Sequence, residues 1–500
     1  MRLLLTIAVA LGGCAVPAGS DAPSAGTDTD AHTDPDTGPG TVDGDDDGPT
    51  DPDPGTDPDP DPTSPAPCEL SAIGEAVHAA VLESNSADSL VPMSQLLTFY
   101  NDAGEALVEG PEVFPTLADL IARAEHDVSF ATFVWEVGSD PSNALLDGLG
   151  RLEARLRAEG TRETPVTVRF LVYANRLMGA RGVGEPLVLA VRNLDLDPRY
   201  VEVDVATRES WGLGAMHQKV VVIDGEIVHV GGANVEFVHG WEDGLVPWHD
   251  SAYIARGEIA HAMLLSFDDM WIEGRTWECD GSVCNTELNR RPARTLRTPI
   301  HADGCLPMLA LTRRPRGEIN NRVDNAQDQG WLAAMGAATE VIKIESPNLN
   351  DNAAKDAILD ALERGVNVRI VLSLGFNERT ESLPGVGGGN AANADELYAR
   401  ATEAIGAAEA CRLLQIRWYA RDASGPIEGN GAGASHTKYM SVDDQMVIVG
   451  SGNMDTVSWN NAGEVNLAVD DAEVTAEWNG RMFDADFARS FASGHCGSAG

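Results

Sequence analysis

Lysine is nearly absent from this chain of 500 residues, which holds four: Lys219, Lys343, Lys355 and Lys438. Arginine supplies the other positive charges, and 35 basic against 78 acidic side chains leave a formal net charge of −43. A field of that sign repels polyanions at long range, which argues against nucleic acid as substrate while leaving room for a locally basic cleft. Long apolar runs are also missing. The run at residues 3–11 is too short to span a bilayer, and no later segment is long and apolar enough for a transmembrane helix. Cysteine is sparse, at seven residues, and none has metal-site spacing. In a chain this poor in lysine each one needs a reason, and two of the four lie two residues after a histidine.

Residues 1–13 read as an export signal, with Met1-Arg2 ahead of the apolar run. Leu11-Gly12-Gly13-Cys14 looks like a lipobox, in which Cys14 is acylated and becomes the first mature residue. Residues 14–67 then form a tract of Asp, Pro, Thr and Gly without Lys or Arg, which reads as an extended, disordered spacer. The expectation is an exported lipoprotein anchored at a membrane surface, or otherwise a secreted protein. The six remaining cysteines allow up to three disulfides. Cys279 and Cys284 are near enough to close a small loop, and the other pairings stay open.

The folded part reads as two halves, 68–300 and 301–500, with helices and buried strands alternating in the same order. In the first half the pattern predicts helices at 117–124, 143–158 and 258–270. Strands are expected at 128–135, 166–172, 201–205, 217–223, 227–230 and 251–255. In the second it predicts helices at 329–338, 353–364, 395–408 and 472–488. The strands there fall at 340–345, 366–373, 415–419, 436–442, 446–449 and 464–469. This is an α/β architecture of two pseudo-repeated sandwich halves with one active site at their interface. Two glycine-rich stretches, 384–389 and 429–433, read as loops, the second placed to act as a lid before His436.

One motif occurs in both halves. His217-Gln218-Lys219, Asp224 and Gly231-Gly232-Ala233-Asn234 are repeated as His436-Thr437-Lys438, Asp443 and Gly450-Ser451-Gly452-Asn453, with identical spacing. On a strand, His and Lys at i and i+2 share a face, and the returning strand brings the Gly-x-x-Asn end close to them. Each copy therefore offers an imidazole, a cation and an amide donor. Two copies facing each other suit a phosphodiester, whose transition state spreads negative charge over non-bridging oxygens. One neutral histidine can attack phosphorus while the other protonates the leaving alkoxide. Each histidine needs a carboxylate to fix its tautomer. Asp224 and Asp443 lie in the turns and read as structural, so Asp250 and Glu464, downstream of the two motifs, are the candidates.

The doubled motif resembles that of the phospholipase D superfamily, over about residues 117–491. Gly231-Gly232-Ala233-Asn234, Trp248-His249-Asp250 and Phe267-Asp268-Asp269-Met270-Trp271 are similar to bacterial cardiolipin synthases and their phospholipase D-like relatives. The resemblance implies a metal-independent, two-step phosphodiesterase or phosphatidyltransferase that passes through a phosphohistidine and uses no cofactor. It implies His217 and His436 as nucleophile and general acid/base, with His217 favoured as nucleophile. Lys219, Lys438, Asn234 and Asn453 would bind phosphate, with Ser451 and Gly232 beside them, and Asp250 and Glu464 would orient the histidines. The substrate would be a phospholipid at a membrane surface, and a monomer would suffice because both motifs lie in one chain. A nuclease of the same superfamily and an inactive surface-binding lipoprotein are the competing readings. His229, His239, His249 and His261 lack close ligand spacing, so no metal site is expected. Trp135, Trp211, Trp241, Trp248 and Trp459 read as core or cleft-wall packing.

Overall fold

The computed structural model describes residues 69–175, 181–210, 214–280, 283–289, 299–316 and 324–496. The expected signal at 1–13, Cys14, the expected spacer at 14–67, Cys68 and Trp211 lie outside them.

Eighteen strands run through the described residues. They are β1 (Leu97–Thr98), β2 (Asn101–Val108), β3 (Asp127–Thr132), β4 (Val166–Asn175), β5 (Val201–Ser210), β6 (Val220–Ile223), β7 (Ile227–Gly231), β8 (Ser251–Gly257), β9 (Arg275–Asp280), β10 (Val283–Leu288), β11 (Met308–Arg313), β12 (Val341–Ser346), β13 (Asn367–Leu372), β14 (Leu414–Trp418), β15 (Tyr439–Val442), β16 (Met446–Gly450), β17 (Glu464–Asp470) and β18 (Phe491–Ala492). They make two nine-stranded sheets, ordered β10-β9-β5-β4-β3-β6-β7-β8-β2 and β18-β14-β13-β12-β15-β16-β17-β11-β1. The run β5-β4-β3-β6-β7-β8-β2 corresponds position by position to β14-β13-β12-β15-β16-β17-β11. In both, parallel strands (β3, β4, β5 and β12, β13, β14) adjoin an antiparallel set. The two halves are thus one α/β fold used twice.

Burial explains the strand sequences. β3, β6, β12, β15 and β16 are buried along most of their length, as strands covered on both faces must be; β6 and β16 are mainly Val and Ile, whereas β12 also buries Lys343 and Glu345. Side chains of the helices Glu109–Ala122 and Asp140–Glu159 pack with β3 and β4 residues in a core of the first half. A second apolar core runs continuously from β6, β7 and β8 through the helix Glu258–Ile272 into the second sheet. The two repeated motifs sit on this shared core. Ser139 caps the helix Asp140–Glu159 and Gly160, at φ 111°, ends it, while Asn325 and Asp351 cap the helices Ala326–Ala337 and Asn352–Glu363.

Several elements lack a clear sequence signal. β2 carries Asn, Asp, Gly and Glu, and β9 and β10 are polar and partly exposed. The helix Arg181–Arg192 contains Gly184 and Pro186, residues of low helix propensity. β1 lies within residues 68–300 but pairs with β11 of the second sheet. A disulfide joins Cys279 to Cys284 across the β9–β10 hairpin, a second joins Cys411 to Cys496, and Cys305 is also disulfide-bonded.

Candidate active site

The strand reading of the motif needs a correction at its first residues. β6 begins at Val220 and β15 at Tyr439, so His217 to Lys219 and His436 to Lys438 precede the regular strands. Their backbones are taken up by the other half. His217 N donates to Gly463 O at 2.8 Å, and Gly463 N donates to Ala215 O at 2.7 Å. His436 N donates to His249 O at 2.7 Å, and His249 N to Ala434 O at 2.9 Å. Short parallel bridges, Met216 to Gly463 and His249 to Ser435, thus stitch the halves together beside each histidine.

The stitching crosses the carboxylates over. His217 Nδ1 lies 2.9 and 3.0 Å from the two oxygens of Glu464, in the second half. His436 Nδ1 lies 2.7 Å from Asp250 Oδ2, in the first half. Both carboxylates are fully buried, while His217 keeps 14% of its side-chain surface exposed. Ser451 Oγ donates to Glu464 Oε2 at 2.6 Å and Ser458 Oγ to Oε1 at 2.9 Å. Ser451, expected beside the phosphate, is therefore engaged by the orienting carboxylate. At the equivalent place Gly232 leaves space: a Cβ there would stand 2.1 Å from Asp250 Oδ1 and 2.9 Å from Lys438 Cδ.

Lys219 Nζ donates to His217 O at 2.8 Å, Lys438 Nζ donates to His436 O, and Lys438 Nζ is 3.9 Å from Asp250 Oδ2. Each asparagine donates to the acid two residues on: Asn234 Nδ2 to Glu236 Oε1 and Asn453 Nδ2 to Asp455 Oδ2, both at 2.8 Å. Both amide oxygens are buried without a partner among the described residues. The turn aspartates stand at the far end of the hairpins. Asp224 accepts from the backbone of Glu125, His126 and Asp127, and Asp443 from that of Thr339, Glu340 and Val341.

Burial controls the charges. It pushes the Lys219 ammonium down to about 7 and that of Lys438 down to about 8, against the upward pull of nearby carboxylates. Burial also lowers both histidines. Glu464 pulls His217 back up, whereas the neighbours Lys438, Lys219 and His217 drive His436 well down. Glu464 itself ends below its ordinary value, because His217 and Lys219 outweigh its burial. Burial raises Glu236 to about 7.

Aromatic rings wall the site. Phe133 meets the His217 ring edge-on at 4.9 Å, and Trp248 and Phe376 lie 5.4 and 5.6 Å from the His436 ring. Trp135 and Trp459 are core. Within the 429–433 stretch, Gly431 O accepts from Trp248 Nε1 at 3.1 Å. Behind Asp250 and His436 lies a buried network without a short-range sequence signal. His249 Nδ1 faces Glu109 Oε1 at 3.1 Å and its Nε2 faces Asp486 Oδ2 at 2.6 Å, while Ser435 Oγ donates to Glu345 at 2.8 Å. Asp486 and Glu109 outweigh burial and hold His249 up to about 10, whereas burial and Asp486 raise Glu345. Glu236 and Asp455 did have a signal, since both stand two residues after a motif asparagine.

Comparison with known proteins places this geometry. Residues 331–486 match the family described as cardiolipin synthase, PLD-like domain. Cardiolipin synthase A of Pseudomonas fluorescens Pf-5 is 26% identical over 400 residues, covering 78% of this chain and 69% of that protein. Cardiolipin synthase A of Pseudomonas putida is 24% identical over 405 residues, covering 79% and 70%. The crystal structure of phosphatidylserine synthase from Haemophilus influenzae Rd KW20 shares the fold at 14% identity, with a TM-score of 0.57 over 84% of this chain and 91% of that one. By its doubled motif, its repeated fold and these relatives, the chain is similar to the cardiolipin synthases and to other enzymes of the phospholipase D superfamily.

Proposed function

We propose that this chain transfers the phosphatidyl group of a phospholipid to an alcohol or to water through a phosphohistidine. The observation that carries the reading is the crossed arrangement of two buried histidine–carboxylate pairs, each flanked by a lysine and an asparagine. Glu464 and Asp250 each accept from Nδ1–H, which turns the other ring nitrogen, Nε2, toward the reacting phosphate. His217 Nε2 attacks phosphorus, and His436, which takes a second proton on Nε2 from solvent as the anionic phosphate binds and offsets its lowered pKa, protonates the departing alkoxide. The acceptor hydroxyl then gives its proton to His436 and its oxygen to phosphorus, which frees His217. Lys219, Lys438 and the amides of Asn234 and Asn453 offset the charge on the non-bridging oxygens without having to reorganise. One chain holds the full set, so a monomer would be competent.

The cardiolipin synthase relatives favour a phospholipid substrate, and the net charge of −43 disfavours DNA. Acylation of Cys14 would keep the enzyme at the membrane that carries its substrate. The test incubates the purified chain with mixed phospholipid vesicles, with and without glycerol, and separately with plasmid DNA, beside His217→Ala. Headgroup release or exchange that is lost in the variant supports the proposal. No turnover of lipid, or nicking of DNA alone, would overturn it.

A further inference from the structure

Beside the Asp250–His436 pair lies a third imidazole to which the proposed reaction gives no task. His239 is fully buried, and neither of its ring nitrogens has a hydrogen-bond partner among the described residues. Leaving a buried polar group unsatisfied costs about 1–3 kcal/mol, so the arrangement calls for an occupant. His239 Nε2 faces two carboxylates without bonding to either: Glu236 Oε1 at 3.8 Å and Asp250 Oδ2 at 4.0 Å. Those gaps are too long for hydrogen bonds. They are close to what a small cation spans. Zinc bonds of about 2.0–2.2 Å put two ligand atoms roughly 3.3 Å apart at the tetrahedral angle, and farther as the angle opens.

Ligand atoms of His239, Asp250 and His436 all lie within 4.8 Å of one another, and all three residues are buried. Two imidazoles and a carboxylate suit zinc and its transition-metal neighbours, whereas magnesium and calcium prefer oxygen alone. Burial holds His239 down to about 3, so its ring is neutral and its lone pair is available. The neighbouring group of His249, Glu345 and Asp486 is equally compact, but there both imidazole nitrogens already have carboxylate partners. His239 has the free lone pair and the gap.

We propose that His239, Asp250 and His436, with the Glu236 carboxylate nearby, bind a zinc-class divalent cation that reversibly shuts the active site. His436 would coordinate through Nδ1, the nitrogen that faces Asp250. Its Nδ1 proton leaves to solvent, and two bonds to the metal replace the hydrogen bond to Asp250. His436 then loses the orientation that its proton transfers require. The Lys438 ammonium, 3.9 Å from Asp250 Oδ2, repels the dication, which keeps the affinity modest and the inhibition reversible. The inhibitory role rests on the proposed phosphatidyl transfer, but the binding site does not.

The experiment therefore reads binding and activity separately. Chelator-stripped full-length chain is titrated with Co2+ and followed by its visible absorption, then back-titrated with Zn2+. One Co2+ per chain with the intense bands of four-coordinate cobalt is expected, displaced by Zn2+. Outer partners of a metal site alone are worth about 10–100-fold in affinity. His239→Asn and His239→Phe should thus weaken Co2+ binding by at least about tenfold, and Glu345→Gln in the neighbouring group should leave it unchanged. Glu236→Gln, a smaller perturbation, should weaken it less and guards against misfolding of the His239 variants. In the vesicle assay Zn2+ should inhibit the wild type and inhibit His239→Phe at least about tenfold less. Absence of the cobalt bands, or bands unchanged in folded His239 variants, would overturn the site and leave His239 as the partner of an ordered water. A chain that binds Co2+ at His239 but turns over no lipid would retain the site and sink only the proposed function.

Discussion

Glu464 of the second half holds His217 of the first at 2.9 Å, and Asp250 of the first half holds His436 of the second at 2.7 Å. Neither half thus contains a complete histidine–carboxylate pair. Glu464 pulls the His217 pKa upward. Glu464→Gln should therefore lower that pKa further, read by NMR titration of labelled histidine, and leave His436 nearly unaffected. Losing the orienting charge should reduce kcat by about 100- to 10,000-fold with little change in KM. If His436 shifts and His217 does not, the crossed assignment is wrong.

The lysines set an alkaline limit. Lys219 and Lys438 titrate at about 7 and about 8, and only their protonated forms offset phosphate charge. The kcat/KM profile reports the free enzyme. It should fall as pH rises through that window and also fall in acid, where the nucleophilic imidazole is protonated below its lowered pKa. Lys219→Arg removes the group with the lower pKa, because Arg stays charged. Its alkaline limb should move to higher pH even if its maximum is reduced, and an unmoved limb would assign the limb to another group.

Asp443 serves the fold. Burial would raise its pKa, but the backbone N–H groups of Val341, Thr339 and Glu340 hold it below the ordinary value. Its contribution is present above the unfolded pKa of about 3.9 and is lost as pH falls through the lower folded value. Asp443→Asn should destabilise by about 1–3 kcal/mol at neutral pH, reduced by its partial exposure. The gap in Tm from wild type should close in acid, with kcat of the folded fraction unchanged. A large loss of kcat would place Asp443 in the chemistry.

What could be read from sequence is what repeats or alternates. The doubled spacing from His217 to Asn234 and from His436 to Asn453 located both halves of the site, because hairpin geometry ties those residues together locally. Asp250 and Glu464 could be named as the carboxylates, but their crossing is a long-range relation that no spacing encodes. Ser451 is placed beside the phosphate by the resemblance, and only the position of Glu464 shows what its hydroxyl bonds. Glu109, Glu345 and Asp486 come from distant segments and meet at His249 through packing alone. β2 and β9 were missed because partly exposed strands need not show an apolar pattern.

The loop between His239 and Trp248, both beside the His436 ring, also presents large apolar side chains to solvent. Leu245 is 51% exposed and Val246 45%, and Phe237 at the loop base is 53% exposed. If the substrate lies in a membrane, these side chains are placed to enter it beside the site. Phe237→Ser with Leu245→Ser should lower turnover of vesicle lipid by about tenfold or more, since each buried apolar side chain contributes about 1.5–3 kcal/mol. Turnover of a short-chain, monomeric phosphodiester should hold steady. Equal losses on both substrates would instead mean that the loop supports the site and does not dock it.

His249 provides the last test, through stability. Burial alone would lower its pKa, but Asp486 and Glu109 raise it to about 10. A group whose folded pKa is raised stabilises fully below its unfolded pKa, about 6.5, and loses that contribution as pH rises through the folded value. The wild-type Tm should therefore decline between about pH 7 and pH 10, and His249→Gln should lack that component of the decline. Asp486→Asn leaves the imidazolium buried with one carboxylate partner fewer. Breaking a buried pair in this way costs about 3–5 kcal/mol, so this variant should be far less stable than His249→Gln at neutral pH and should approach it in alkali. Because His436 N donates to His249 O at 2.7 Å, the displaced imidazole should also disturb the His436–Asp250 pair. Kcat of Asp486→Asn should thus recover as His249 deprotonates, and a kcat indifferent to that titration would confine the network to a structural role.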